Sequence, residues 1–526
     1  TAGDLYLRFD GKTYTADQYK AAKSALFELE NEKALLTLLN GTLKVQEGET
    51  VVVSGTADPA TNKVTLSGVT PVVAKSGESA NDSDVTIASV PDQLVRVVDS
   101  NDETKELQTV GNLEIGKSVF NAKGLQVAPA DAAAGVVLNL VDNSKITLIG
   151  GETEDSGVLV DGNNNAVKTH VVVGDGSALQ LGMAGNAGKQ MASFGTVEVQ
   201  GKLDVAGNGL DTTRYGYEEL KASHANAEVN LSNASILAST ATLEKGAVNV
   251  LNATAHIGTL NPTGGTLFID PAYVKIENLS GDTFGSSLLV GDGSVVEIGS
   301  IAELQAKAAE AGLNPAAFGS GFTVASGESM LALGKPVTLG AGGKIVVDAG
   351  VDKSGKIDGK TVSGSAYFGG NSLLVVDSAI ASGGGAIKAN SRSDTITVKK
   401  GAKLYLVDAK ANGDYTVASN FADASLSVEG WTGSDLVTNR LINAERIAGT
   451  NGTVKIKTTA KQASALYPGI SIPNTLDRMI EDKQNDVDSG NAGIKFLSRA
   501  WNPSSSRKAR CFPRSTARRS LRMRAA

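Results

Sequence analysis

The 526 residues contain one cysteine, three histidines and two tryptophans, so side chains often recruited for redox, metal and stacking chemistry are scarce. With Cys511 alone, no disulfide can form within the chain. That fits either a reducing cytosol or a protein that crosses an oxidising compartment unfolded. His170, His224 and His256 include no pair at the i, i+4 spacing of a zinc helix and have no cysteine partners, so neither a metal nor a cofactor is expected. Aromatic residues make up 5% of the chain and charged residues 20%. Thin stacked β layers with frequent turns need less aromatic bulk than a compact globular core. No run of 18 apolar residues occurs, so no transmembrane helix is expected. A net charge of −7, with eight arginines outside residues 503–526, offers no basic stripe for nucleic acid. The chain opens on Thr1-Ala2-Gly3 without an initiator Met, which fits a mature N-terminus left by leader cleavage, or a trimmed chain.

What is abundant is glycine, 60 residues of it, set among short alternating apolar runs. "TADQYKAAKSALFELENEKALLTLLNG" opens on Thr15 with Gln18 as a capping box and closes on Asn40-Gly41, predicting a helix over 15–40. After it the texture changes for about 400 residues. "GTVEVQGKLDVAGNG", "ATLEKGAVNVLNA" and "DTITVKKGAKLYLVDA" are four- to six-residue runs with alternate apolar positions, broken by Gly, Asn or Asp. Alternation puts one face in and one face out, and the breakers are residues for which positive φ is cheap.

"VVVGDGSALQLG" and "LLVGDGSVVEIG" repeat a Gly-Asp-Gly-Ser at Gly174-Asp175-Gly176 and Gly291-Asp292-Gly293, 117 residues apart. Five coils of roughly 23 residues would span that distance, within the range of solenoid repeats. The fold expected is therefore all-β, a right-handed parallel β-helix of roughly 17–20 coils. Each motif is read as a corner, with the Asp bonding its own turn. One carboxylate per turn is too few oxygens for calcium, and Ser177 and Ser294 are out of place for a serine nucleophile. "GVDKSGKID" has Gly350, Gly355 and Lys356 of a phosphate loop, but Ile357 stands where Ser or Thr would hold magnesium. Two interruptions are expected: a polar excursion at 211–225, and a helix at 299–319 capped by Ser300 and Glu303 and stopped by Gly312 and Pro315. Tyr215, Tyr217 and His224, with Arg214 beside them, are the candidate ligand-contact loop, although tyrosines packed on a neighbouring coil are the alternative. No catalytic constellation is found.

From residue 394, "DTITVKKGAKLYLVDAKANGDYTVASNFADASLSVEGWTGSDLVTNRLINAERI" resembles the terminal coils of passenger domains in Gram-negative, pertactin-like autotransporters. "PNTLDRMIEDKQNDVDSGNAGIKFLSRAW" is similar to their passenger–barrel junction, with its pore-threading helix. The resemblance implies an N-terminal cap over 1–40 and a β-helix stalk over 41–393. It further implies autochaperone-like coils over 394–472, the folding nucleus in that family, and a linker helix region over 473–501. Leu404, Leu406, Trp431 and Leu436 are core candidates of those coils. The family continues into a membrane β-barrel. This chain instead ends in a basic stretch, 502–526, with seven of its fifteen arginines, read as aberrant and left out of the fold.

The function implied is a secreted or cell-surface passenger that passes through the periplasm and acts as a non-catalytic adhesin. Its partners would be a host-cell or matrix protein, a glycan, or copies of itself, with no nucleic acid and membrane contact only through the missing barrel. A self-associating surface protein and a passenger protease or glycan-active enzyme are the alternatives.

Overall fold

The computed structural model of the protein describes residues 50–461, apart from 75–84, 87–88, 100–105, 154, 186–187, 282, 302–323, 325, 423–426, 439–441, 448 and 450–451, together with four short strands ahead of residue 50. Its repeating unit is a coil of three strand segments. Thr169–Val173 lies on a first sheet, residues 174–177 turn the chain, and Ala178–Leu181 lies on a second. Gln190–Val199 then runs along a third sheet and returns to the first, one coil later.

That long strand returns by bending. Its pairing with Thr213–Ala222 skips Gly195 and Glu218, and the next pairings skip Ser239 and Gly258. Phe194 and Val197 are both buried although three residues apart, so the period-two alternation of a strand is reset at the bend. Gly195 makes room for this. A side chain there would press into the His170 ring of the coil before.

Strands stack in parallel on the equivalent strands before and after them. Ala178–Leu181 sits between Lys145–Leu148 and Lys202–Ala206, and the ladder continues to Ser427–Val428 on the second sheet and Leu436–Val437 on the third. The architecture is a parallel-dominated β-solenoid with an apolar interior from Val51 to Ile456. Coil length is not uniform. Asn230 bonds a residue 26 positions earlier, and Asn249 one 19 positions earlier. The second sheet holds about a dozen rungs, on the order of 60 Å at ~4.8 Å each. This is shorter than the coil count expected from the sequence, because later coils are longer: Leu404 pairs with Leu436.

Both ends depart from parallel pairing. Thr50–Asp58 pairs antiparallel with Lys63–Ser67 and Val72–Ala74. At the other end Val454–Ala460 pairs antiparallel with Asp414–Ser419 and with Ile442–Ile447.

Helix among the described residues is limited to Ser378–Ser382 and a 3-10 turn at Gly433–Asp435. The helix expected over 15–40 lies mostly outside the described residues, and its two ends are strand, in Lys12–Thr15 and Thr37–Leu39. The helices expected over 299–319, beyond Ile301, and over 473–501 lie outside them too, as does the 502–526 tail. The excursion expected at 211–225 is not one. Thr213–Ala222 is a strand paired on both sides, because its polar residues occupy the outward positions of an ordinary coil.

Candidate interaction surface

Tyr215 and Tyr217 do not form a ligand-contact loop. Both point into the coil interior, with 0% and 3% exposure. Phe194 of the preceding coil stacks on Tyr217 at 5.5 Å between ring centres and tilts against Tyr215 at 6.3 Å. Tyr215 donates its hydroxyl to the Ile149 carbonyl at 2.8 Å, and the Tyr217 hydroxyl has no partner among the described residues. Burial pushes both phenols far above their ordinary range. Arg214 precedes them on the outward side, half-buried. The sequence alternation "TRYGYEEL" held this answer, since Tyr215, Tyr217 and Leu220 are the residues that face in.

His224 is half-buried, and the fold brings it to the first repeated motif. Its Nδ1 accepts from the Asn226 N–H at 3.3 Å and lies 3.8 Å from Asp175 Oδ1. Asn226 Nδ2 also donates to Asp175 Oδ1, at 3.1 Å, 51 residues back along the chain. Between these corners passes Gly201, where a side chain would press on the carbonyls of Gly174 and Ser177. Glycine at 201 thus lets a carboxylate from one corner reach the corner two coils on.

The two Gly-Asp-Gly-Ser copies are both turns, with Gly176 at φ 76° and Gly293 at φ 64°. They are not the same corner. Gly174 precedes the second-sheet strand Ala178–Leu181, whereas Gly291 follows the second-sheet strand Ser287–Val290. The separation of 117 is therefore not a whole number of coils. Nor do the aspartates serve their own turns. Asp292 accepts from the Ser326 hydroxyl and the Gly327 N–H. Next to it Asp270 leans against Gly291. Burial, and after it the Asp292 charge, push the Asp270 carboxyl up to about 6.

The outward positions of the first two sheets carry polar ladders that link successive coils. Lys63 pairs with Glu114 at 2.8 Å, and Asn139 donates to the same carboxylate at 3.3 Å. Ser223 donates to Glu198 at 2.7 Å, and Thr242 to Glu219 at 3.1 Å. On the second sheet Asn249 donates to Asn230, and Asn230 to Asp204. Such mixed-sign rows suit a solvated surface.

His170 accepts from the Thr196 N–H, and His256 Nε2 lies 2.9 Å from Glu277 Oε1. Among the described residues, no group of three or more His, Cys, Asp or Glu side chains converges as metal ligands do. The phosphate-loop-like stretch is a hairpin in which Asp352 Oδ1 accepts the N–H groups of Ser354 and Lys356 at 2.9 and 3.0 Å. Those donors would have to face a phosphate, and they are already taken. The Ser354 hydroxyl, and with it the Lys356 N–H, hold the Asp352 carboxyl below its usual value.

No known family model, curated protein or solved structure matches the chain. The feature that sequence reading missed is a second apolar layer outside the third sheet, containing Tyr273, Met330 and Tyr405. Its signal was present. "SVVEI", "SMLAL" and "SLLVVD" are nearly continuous apolar runs, as strands buried on both faces read.

Proposed function

We propose that the chain is the surface-displayed passenger of a Gram-negative autotransporter and acts as a non-catalytic adhesin. The observation that supports this reading most is the long parallel ladder with polar outward rows on its first two sheets. A stack of coils holds those rows at a fixed spacing of about 4.8 Å, which favours multipoint contact with an extended protein or glycan. Parallel crossovers of this kind are right-handed almost without exception, which makes the coil a right-handed β-helix. In the coils read as autochaperone-like, Trp431 is fully buried and lies 5.1 Å from the Phe368 ring, as a tightly packed folding nucleus requires.

Self-association remains the second reading, and the ends constrain it. Among the described residues both carry antiparallel strands, and the edge strand Ile442–Ile447 carries Glu445 and an Arg446 that bonds the Val428 and Gly430 carbonyls. Charged edge strands oppose end-to-end stacking, so copies would meet side by side.

The test is to join the chain to a β-barrel translocator, display it on Gram-negative cells and measure adherence to epithelial cells and matrix-coated wells. The reading expects several-fold more adherence than with the barrel alone. Equal adherence with the chain detected on the surface contradicts it. So does turnover of protein or glycan substrates by cells that do not adhere.

A further inference from the structure

One straight column of outward positions on the second sheet changes chemistry along its length. Successive coils place Asp204, Asn230, Asn249, Phe268, Leu289 and Val346 side by side in it. The amides of its polar half point one way. Asn230 Nδ2 donates to Asp204 at 2.7 Å and Asn249 Nδ2 to Asn230 at 2.8 Å, so each amide oxygen is left for the coil that follows. For Asn249 that coil presents Phe268, which has no proton to give. Asn249 Oδ1 is thus buried with no donor among the described residues, on a residue only 2% exposed.

A strap covers the column from this point on. Strands Lys344–Val347 and Ala366–Phe368 are parallel neighbours in one sheet, so residues 348–365 must return from the end of the first to the start of the second. They do so across the outer face. Val351 and Val362 pack on Phe268, Leu289 and Val346, and a side chain at Gly355 would touch Leu289. Lys353 lies 3.6 Å from Glu228, which is four coils before Lys344, roughly 19 Å along the stack. The strap therefore spans the coil of Asn249. Its turn is self-contained, since Asp352 takes the N–H groups of Ser354 and Lys356. Its polar ties to the sheet include the bond from Lys344 to the Val362 carbonyl and the exposed Lys353–Glu228 pair, which contributes little.

We propose that Asn249 and Phe268 are the centre of a binding site for an uncharged glycan, and that the strap is its lid. The column fits sugar chemistry. A sugar hydroxyl supplies the proton that Asn249 Oδ1 lacks, and the apolar face of a pyranose ring packs on an aromatic side chain. An extended peptide fits less well. Backbone recognition needs a free strand edge, and these strands are paired on both sides. An acidic glycan finds its cations already engaged. Lys202 pairs with Asp204 at 3.0 Å, Lys353 with Glu228, and Lys344 with the Val362 carbonyl. Closed, the lid keeps Phe268, Leu289 and Val346 from forming an exposed apolar strip. The site deepens the adhesin reading, on which it rests for its role in attachment.

Binding of the purified full-length chain to immobilised oligosaccharides tests it. Cello-, manno- and chito-oligosaccharides are the neutral probes, with heparin and an unrelated peptide for comparison. Saturable binding to at least one neutral probe is expected, and that probe in solution should raise proteolytic cleavage within 352–361 several-fold as the lid opens. Val351→Ser loosens the lid and should tighten binding several-fold, by removing part of the cost of opening. Asn249→Leu removes the waiting acceptor and should weaken binding at least tenfold with circular dichroism retained. If that variant does not fold, Phe268→Leu, which keeps the apolar cover but removes the ring, carries the same expectation. The proposal is overturned by binding to heparin or peptide alone, by no binding, by a neutral probe that leaves 352–361 as resistant as before, by a Val351→Ser chain that binds no tighter, or by a folded Asn249→Leu or Phe268→Leu chain that binds like the parent. Displayed chain that adheres to cells without binding any neutral probe would overturn the site and leave the adhesin reading standing. Glycan binding without adherence would do the opposite.

Discussion

A hydroxyl with nothing to bond sits inside the coil stack. Tyr217 Oη is buried beside Phe194 with no partner among the described residues, and a buried unpaired hydroxyl costs about 1–2 kcal/mol. Tyr217→Phe should therefore raise stability by about 1 kcal/mol in thermal or urea unfolding, with no change in adherence. A loss of stability, or of binding, would restore the tyrosine to a functional role. Asp270 is held away from its ordinary ionisation by burial first and by the Asp292 charge after it. Its folded pKa, about 6, lies above the ordinary 3.8, so between those values the folded chain holds a proton that the unfolded chain has released. Stability attributable to this group is lost as pH rises from about 4 to about 6 and stays lost above. Asp270→Asn should raise the melting temperature at pH 7 and leave it unchanged at pH 3.5. The gain should be about 1 kcal/mol, allowing for screening of a half-exposed group. An equal gain at both pH values would assign it to packing instead.

Between the residue and the whole coil lie elements with their own stability. The hairpin Lys356–Ile357 and Lys360–Thr361 belongs to a strap whose Val351 and Val362 cover Phe268, Leu289 and Val346 on the outside of the second sheet. Its other links to the solenoid are few, among them an exposed Lys353–Glu228 ion pair and a bond from Lys344 Nζ to the Val362 carbonyl, and such a unit opens locally. Val351→Ser should increase proteolytic cleavage within 352–361 several-fold while the global melting temperature moves little. A parallel fall in both would show that the strap is part of the cooperative core. Elements of this size also mark the limit of what the sequence disclosed. Alternation and the Gly, Asn and Asp breakers were enough to place strands and turns. They did not distinguish the two Gly-Asp-Gly-Ser corners, because a tight turn has the same chemistry at either corner of a coil. Polarity made 211–225 look like a loop, although Arg214, Glu218 and Lys221 merely occupy outward positions of a strand. The bends at Gly195 and Gly258 were not legible, since one skipped residue in a long strand leaves no pattern in composition.

At the scale of the whole molecule each coil contacts its neighbours, so the ladder should melt piecewise rather than at once. Packing favours the C-terminal coils. There Trp431 and Phe368 fill the interior, strands are buried on both faces, and an antiparallel cap closes the end. Earlier, between Leu220 and Leu267, an apolar cavity of about 30 Å³ lies among Ala238, Ala241 and Ala255. Limited proteolysis in moderate denaturant should leave a resistant fragment covering roughly 394–470. A resistant N-terminal fragment, with the C-terminal coils digested first, would contradict this order of stability and the resemblance that implied it.

The claim that this chain works by contact and not by chemistry is tested most directly by a binding isotherm. Labelled full-length chain would be titrated onto fixed epithelial cells, matrix coats and wells coated with the chain itself. The account predicts saturable binding to cells or matrix that exceeds binding to itself and is competed by unlabelled chain. Linear, uncompeted binding to every surface would contradict it.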